Sequence, residues 1–277
     1  MFFCLHRGTT GGGLPLDHFV SIAAAAGFEG ADVDFAYAES HGAAALADLY
    51  ATHKQRIGGW GPPIDWRGDP AKLPDGLARL KKQAAVAAEL KADSCSTWLM
   101  PSSDLPLLDN WNFHVTRLKP VAQALADHGL RFGLEYVAPF HLRRKGRHEF
   151  LFTPGQLLEL AAAIGPNVGL LVDSIHHHTA GDTWAHLAKV PADKIVWVHI
   201  NDVPKVPVPD VEDGKRLLPG DGGLDLAAFL GALKTAGYAG PVSLEVFNAD
   251  LRKMPPADAA KKSWAAMKPL VEGFRKV

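Results

Sequence analysis

The sequence predicts an α/β fold: a single (β/α)8 barrel spanning residues 1–277, closed by a C-terminal helix. Three observations carry that expectation. Short apolar runs alternate with longer stretches at helical spacing, the runs number eight, and 277 residues is close to the usual size of such a barrel.

The strand-like runs are Phe2–Leu5, 31–35, 56–60, Ser94–Leu99, Arg131–Tyr136, Val168–Asp173, Ile195–Ile200 and 242–246. Between them, Ala- and Leu-rich segments recur with the period of a helix at Leu16–Ala26, 43–53, 78–91, 115–128, 156–164, 183–188 and 226–236. A last helix over Pro256–Lys276 carries Trp264, Met267, Leu270, Val271 and Phe274 on one face. Its other face has no dense basic cluster, so the stripe is expected to pack on the barrel and not on a membrane surface. The alternative of an open doubly wound sheet lacks support, because no GxGxxG or P-loop follows the first strand. Gly11, Gly12 and Gly13 could form an anion-binding nest, but such a run is more simply a turn. The Pro-rich pieces at 62–65 and 203–210 read as loops after strands, and no linker, repeat or low-complexity segment divides the chain.

Composition narrows the class of function. With 47% hydrophobic and 21% charged residues the chain is an ordinary globular protein. Its 29 basic and 30 acidic side chains give a net charge of −1, so there is no electrostatic case for nucleic acid or an anionic membrane. No apolar run reaches the roughly 18–20 residues that span a bilayer, and the N-terminus does not read as a signal peptide. Cys4 and Cys95 fit neither a disulfide framework nor a metal knot, which suggests two reduced thiols in a cytoplasmic protein.

The chemistry lies at four strand ends. RFGLE stops at Glu135, VGLLVD at Asp173, IVWVH at His199 and VSLE at Glu245. The C-terminal ends of barrel strands face the active site, and inward positions recur with period two. Asp and Glu number 30 and His 13 among 277 residues, so matched positions on four consecutive strands would arise by chance less than about once in a thousand. Three carboxylates in one low-dielectric cavity would repel one another without a cation. Oxygen-rich ligands with one imidazole suit a single divalent ion, Mn2+ in first place, with Mg2+, Co2+ and Zn2+ as alternatives.

In this part of the chain the sequence resembles the xylose isomerase-like barrel superfamily of sugar isomerases and epimerases, which also includes ketose 3-epimerases, inosose dehydratases and endonuclease IV. The resemblance covers nearly the whole chain. It lies in GLEY with Glu135, NVGLLVDSIHH with Asp173 and His176, VHINDV with His199 and Asp202, and LPGDGGLDLAAFLGAL followed by GYAGPVSLEVF with Glu245. It implies that Glu135, Asp173, His199 and Glu245 bind one divalent metal, and that Glu135 and Glu245 are also the catalytic acid/base pair. It also implies that His176, of the DxxH motif, and Arg216, before the PGDG loop, contact substrate oxygens. The expected partner is a small carbohydrate, and relatives that form dimers or tetramers point weakly to a homo-oligomer.

Other residues have plainer readings. Asp202 is expected to support the site or cap a loop, and Asp225 to cap the helix that follows it. His177 and His178 compete with His176 for an inward position. His6, Asp34, Trp60 and Trp98 close the first four strands and are candidates for shaping the pocket, against a simpler role in packing. His141, Arg143 and Arg144 follow the fifth strand, as loop residues or as groups reaching over the site.

Such a site would abstract a proton next to a carbonyl. Return of a proton to the opposite face gives an epimer, and return at the neighbouring carbon gives an isomer. With a leaving group β to the carbonyl, the same start ends in elimination by a dehydratase or lyase on a keto-sugar, keto-glycoside or keto-inositol. A DNA repair nuclease would need additional histidine ligands and a basic surface, which the chain lacks. An inactive barrel is disfavoured because all four ligand positions are filled.

Overall fold

The computed structural model describes residues 1–276. Eight parallel strands are laid side by side: β1 (Phe2–Leu5), β2 (Gly30–Ala31), β3 (Arg56–Ile57), β4 (Ser94–Leu99), β5 (Arg131–Tyr136), β6 (Val168–Asp173), β7 (Ile195–Ile200) and β8 (Pro241–Leu244). Their order is β3-β2-β1-β8-β7-β6-β5-β4, which is the sequential order of a TIM barrel opened between β3 and β4. Trp60 closes that gap. Its N–H donates to the Ser94 carbonyl at 3.0 Å and its carbonyl accepts from Ser96 at 2.9 Å.

The surrounding helices are α1 (Leu16–Ala26), α2 (Ala36–His41), α3 (Ala43–Thr52), α4 (Leu73–Glu89), α5 (Leu107–Ala126), α6 (Phe140–Arg143), α7 (Pro154–Ile164), α8 (Ser174–Thr179), α9 (Trp184–Leu187), α10 (Leu226–Thr235), α11 (Ala249–Lys253) and α12 (Pro256–Lys276). The expected strands all form, though three are shorter than the apolar pattern suggests. The second and third keep two residues each, since the chain bends away into loops after Ala31 and Ile57. Helix α7 starts two residues before its expected first residue. Thr153 and Gln156 cap each other's backbone there, and Pro154 occupies the first turn. Helix α5 also starts earlier, at Leu107. Asp225 caps α10 by accepting from Ala228 at 2.9 Å.

Helix α12 closes the barrel as its apolar stripe requires. Met267 and Val271 are buried, Phe274 meets Phe3 edge-on at 6.1 Å and Trp264 packs on Phe28 at 5.0 Å. Gly27 admits this contact, because a Cβ there would lie 2.6 Å from the Trp264 indole nitrogen. No helix among the described residues is long and apolar enough to cross a membrane. Gly11 ends a short 3-10 turn in the left-handed region and is exposed beside Gly12 and Gly13, which fits the turn reading. Cys4 and Cys95 are free and buried, and burial pushes both thiols well up.

Parallel pairing places the inward residues in rows. Trp98 is level with Glu135, Asp173 with His199, and His199 with Ser243. Small residues leave room inside. A Cβ on Gly59 would lie 2.1 Å from the Trp197 ring, so Trp197 can cross the barrel and floor the cavity beneath His199.

Candidate metal centre

Glu135 on β5, Asp173 at the end of β6, His199 on β7 and Glu245 just past β8 all point into the cavity and are all buried. Glu245 lies beyond the strand as assigned, but its N–H donates to Ile200 at 3.1 Å and continues the ladder. One ligand atom from each of the four residues falls within 4.8 Å of the others. That is close to the span of four atoms around one ion held at about 2.1 Å. His199 Nδ1 is 3.1 Å from Glu245 Oε2, 3.7 Å from Glu135 Oε1 and 3.8 Å from Asp173 Oδ2. His199 Nδ1 and Glu135 Oε1 are buried without a hydrogen-bond partner among the described residues. Orphaned polar atoms converging on one point fit a divalent cation, and so does the donor set of three carboxylates and an imidazole.

The outer oxygens are fixed from behind. Asp173 Oδ1 accepts from the Ile175 N–H at 3.0 Å and from Asn201 Nδ2 at 2.8 Å, which leaves Oδ2 facing the cluster. Asp173 is thereby the N-cap of α8, so His176 stands on a helical turn. His176 Nε2 lies 3.8 Å from Glu135 Oε1 and 3.4 Å from Arg216 Nη2, and its Nδ1 has no partner among the described residues. His177 faces elsewhere. It bonds Tyr136 and Thr183 and stacks on Trp184, a packing role.

Arg216, expected to contact substrate oxygens, lies against the acidic side chains of the cluster itself. It is 2% exposed, and Nη1 donates to Glu245 Oε2 at 2.6 Å and to Asp173 Oδ2 at 2.9 Å. Its other side meets Asp213 Oδ1 at 2.7 Å. Burial opposes the guanidinium charge, but Asp173, Glu245 and Asp213 outweigh it and hold its pKa above the ordinary value. Burial likewise opposes charge on His199 and Glu245. Glu245 and Glu135 nonetheless keep the imidazole pKa well above its usual range, and His199, His6 and Arg216 keep the Glu245 carboxyl well below its own.

Asp202 supports the loop before α10. Its carboxylate accepts from Gly220 at 3.1 Å, Gly222 at 3.0 Å and Leu224 at 2.9 Å, which ties the PGDG segment to the end of β7. Of the residues closing the first four strands, His6 reaches the site, with Nδ1 3.2 Å from Glu245 Oε1. Trp60 is buried in packing against Phe35, and Asp34 is exposed and caps α2. Trp98 stands exposed with the Arg67 guanidinium 3.8 Å over its ring. Arg143 and Arg144 lie against Phe140 on α6, and His141 on the same helix is exposed.

Three residues of the site escaped the sequence reading: Asp213, Asn201 and Asp32. Asn201 and Asp32 obey period two, since Asn201 follows His199 by two and Asp32 precedes Asp34 by two. Asp32 is buried, and burial pushes its carboxyl up to about 7. Asp213 carried no signal, because it reaches Arg216 from a 3-10 turn in an irregular loop.

Buried carboxylates and an imidazole gathered at the C-terminal mouth of a parallel barrel define a class of barrel proteins with a candidate cation site at that mouth. The chain belongs to the xylose isomerase-like TIM barrel family, whose model matches residues 20–270. A xylose isomerase domain protein from Alicyclobacillus acidocaldarius shares 34% identity over 99% of both chains, with a TM-score of 0.89. An inosose isomerase from Halalkalibacterium halodurans is 36% identical over 148 residues, 53% of this chain and 50% of that one. A 3-dehydroshikimate dehydratase from Pseudomonas aeruginosa is 36% identical over 141 residues, 50% of this chain and 21% of that one. The chain therefore spans half or less of the length of these two relatives. The IolI protein with a bound zinc atom shares the fold at 21% identity, with a TM-score of 0.80.

Proposed function

We propose that the protein is a divalent-metal-dependent isomerase or epimerase that moves a proton next to the carbonyl of a small carbohydrate or cyclitol, with residues 1–277 acting as one barrel unit. The observation that carries this reading is the convergence of Glu135, Asp173, His199 and Glu245 within 4.8 Å of one another, with Glu135 Oε1 and His199 Nδ1 left without a hydrogen-bond partner among the described residues. A cation held by these four would polarise the substrate carbonyl and acidify the neighbouring carbon. Mn2+ is the leading assignment, and zinc in a fold relative keeps Zn2+ beside it.

In this reading Glu135 and Glu245 are the acid/base pair. They come from strands three apart in the ring, so they can flank a bound ketone from two sides. One removes the proton, and the other returns a proton to the opposite face or to the adjacent carbon. His176 and Arg216 face substrate oxygens and stabilise the charge of the enediolate. His176 Nδ1 is available for this. Arg216 would have to share its guanidinium between substrate and the carboxylates it already holds.

Elimination is the second reading, favoured by the dehydratase relative from Pseudomonas aeruginosa. It uses the same proton abstraction and differs in the group that leaves. Incubating the metal-loaded protein in D2O with a panel of ketoses, keto-glycosides and inososes separates the two. Deuterium at an α-carbon with no other mass change supports epimerisation or isomerisation, and loss of water or an aglycone supports elimination. Failure of every panel member either to take up deuterium or to lose water or an aglycone would reject both.

A further inference from the structure

The four converging side chains come from β5 to β8. Beside them, β4 and the loop after β3 bring a cation to the same mouth. Trp98 on β4 is level with Glu135 on β5, and level residues on neighbouring parallel strands point the same way, about 4.8 Å apart. The Trp98 ring therefore stands in the mouth next to the acidic cluster. It is 45% exposed, whereas Trp60 and Trp66 are buried.

The loop after β3 lays Arg67 against that ring. The guanidinium sits 3.8 Å from the Trp98 ring centre and 3.9 Å from that of Trp66, so two indoles hold it. Trp66 is anchored in turn, its N–H donating to Thr97 Oγ1 at 3.1 Å. Arg67 Nη2 donates to the same hydroxyl at 3.5 Å and to the Trp98 carbonyl. Nε and Nη1, which carry three N–H groups between them, bond to nothing among the described residues, and the guanidinium forms no ion pair there. Asp65, two residues away, is exposed and accepts from the Gly68 N–H at 3.1 Å. Burial pushes the Arg67 pKa down to about 10, with Asp65 only partly offsetting it, so the group stays charged near neutrality. Arg216 is the contrast, since its charge is already shared among Asp173, Glu245 and Asp213.

The surroundings have the same sign. Ser102, just past β4, pairs with Glu149, and its hydroxyl accepts from the Gly146 N–H at 3.0 Å and donates to the Leu142 carbonyl at 2.6 Å. These bonds tie the segment after α6 to the end of β4. In it Arg144, Lys145 and Arg147 are exposed and form no ion pair among the described residues, with Asp104 and Glu149 as the nearby acids. A mouth lined by one sign of charge concentrates ions of the other.

We infer that the substrate of this barrel is an anionic ketone, and that Arg67, held between Trp66 and Trp98, binds its carboxylate or phosphate while the carbonyl end reaches the acidic cluster. This rests on the proposed proton transfer for what happens at the carbonyl, and it narrows the substrate class.

The test is calorimetric binding to Mn2+-loaded wild type, Arg67→Met and Arg67→Lys. The probes are D-fructose, D-fructuronate and D-fructose 6-phosphate, one keto-sugar with a hydroxyl, carboxylate or phosphate at its end, and a trihydroxycyclohexanone carboxylate with its methyl ester. Wild type should bind at least one anion about tenfold or more tighter than its neutral partner, and which anion gains separates carboxylate from phosphate. Arg67→Met keeps an unbranched stem between the indoles, so it should erase that preference and leave the neutral ligand's affinity unchanged. Arg67→Lys should keep part of the preference. Equal binding of anion and neutral partner by wild type overturns the inference, as does an undiminished preference in Arg67→Met or a wild type that binds none of the probes. Deuterium uptake from D2O, measured on the same proteins and probes, keeps the two readings apart. An anion preference lost in Arg67→Met, with no deuterium in any probe, supports the Arg67 site and counts against proton transfer. Deuterium in the neutral ketones at equal rates in wild type and Arg67→Met, with no anion preference, supports proton transfer and overturns the Arg67 site.

Discussion

Arg216 Nη1 lies 2.6 Å from Glu245 Oε2, inside the ligand cluster and not above it. The same nitrogen is 2.9 Å from Asp173 Oδ2. In the metal-free protein the guanidinium is therefore a counter-ion for the carboxylates that would otherwise repel one another. It binds the oxygens that a divalent cation would use.

A stability prediction follows from that placement. Arg216→Ala leaves Asp173 and Glu245 buried without this counter-ion, and removal of one partner from a buried ion pair costs about 3–5 kcal/mol. Chemical denaturation in excess chelator should show a loss of that order, and saturating metal should recover part of it. If Arg216 has the proposed role toward substrate oxygens, turnover should fall about tenfold to a thousandfold as well. An Arg216→Ala protein as stable as wild type without metal would contradict the counter-ion role.

The metal centre itself is tested by removing two ligands from adjacent strands. The double variant Asp173→Ala, His199→Ala should show metal near background by elemental analysis, where wild type carries one equivalent. A full equivalent in the double variant would place the ion elsewhere in the barrel.

The barrel and the four converging strand ends were legible because inward residues follow a strict period of two, and the buried strands read as unbroken apolar runs. What failed was local. The apolar pattern puts Asp34 at the end of the second strand, but the strand stops at Ala31 and Asp32 is the inward residue. The period was right and the level was off by two residues. The short helix that carries His176 has no signal in HHHT itself, and Asp173 supplies the cap that starts it. The burial of Arg216 depends on Asp213, Asp173 and Glu245 meeting in space, and no pattern along the chain encodes that meeting.

The acid/base assignment predicts that Glu135→Gln and Glu245→Gln each fold normally and lose about a hundredfold or more in turnover. Both residues are also proposed ligands, so metal content must be measured beside the rate. A Gln variant that keeps its metal and a near wild-type rate removes that glutamate from the role of base. Glu245→Gln should also weaken metal binding more than Glu135→Gln, since Glu245 Oε2 is the nearer to His199, at 3.1 Å against 3.7 Å.

Asp32 gives a pH dependence with a definite sign. Burial raises its carboxyl from an ordinary 3.8 to about 7, with the Ser243 and Gly59 hydrogen bonds and His199 only partly offsetting this. Between those two values the folded state holds a proton that the unfolded chain has released. Stability from this group is therefore fully present below about pH 3.8 and is lost as pH rises through about 7, at up to roughly 1.4 kcal/mol per pH unit. His6 works in the opposite sense. Burial lowers its pKa from 6.5 to about 4, so its contribution grows as pH rises from 4 to 6.5 and masks the Asp32 effect there. Asp32→Asn cannot release that proton. Measured by denaturation at a series of pH values in chelator, it should gain on wild type steadily from about pH 4 to pH 7, with the gain levelling off above. A constant difference between the two proteins across that range would show that Asp32 keeps an ordinary carboxyl pKa in the folded barrel.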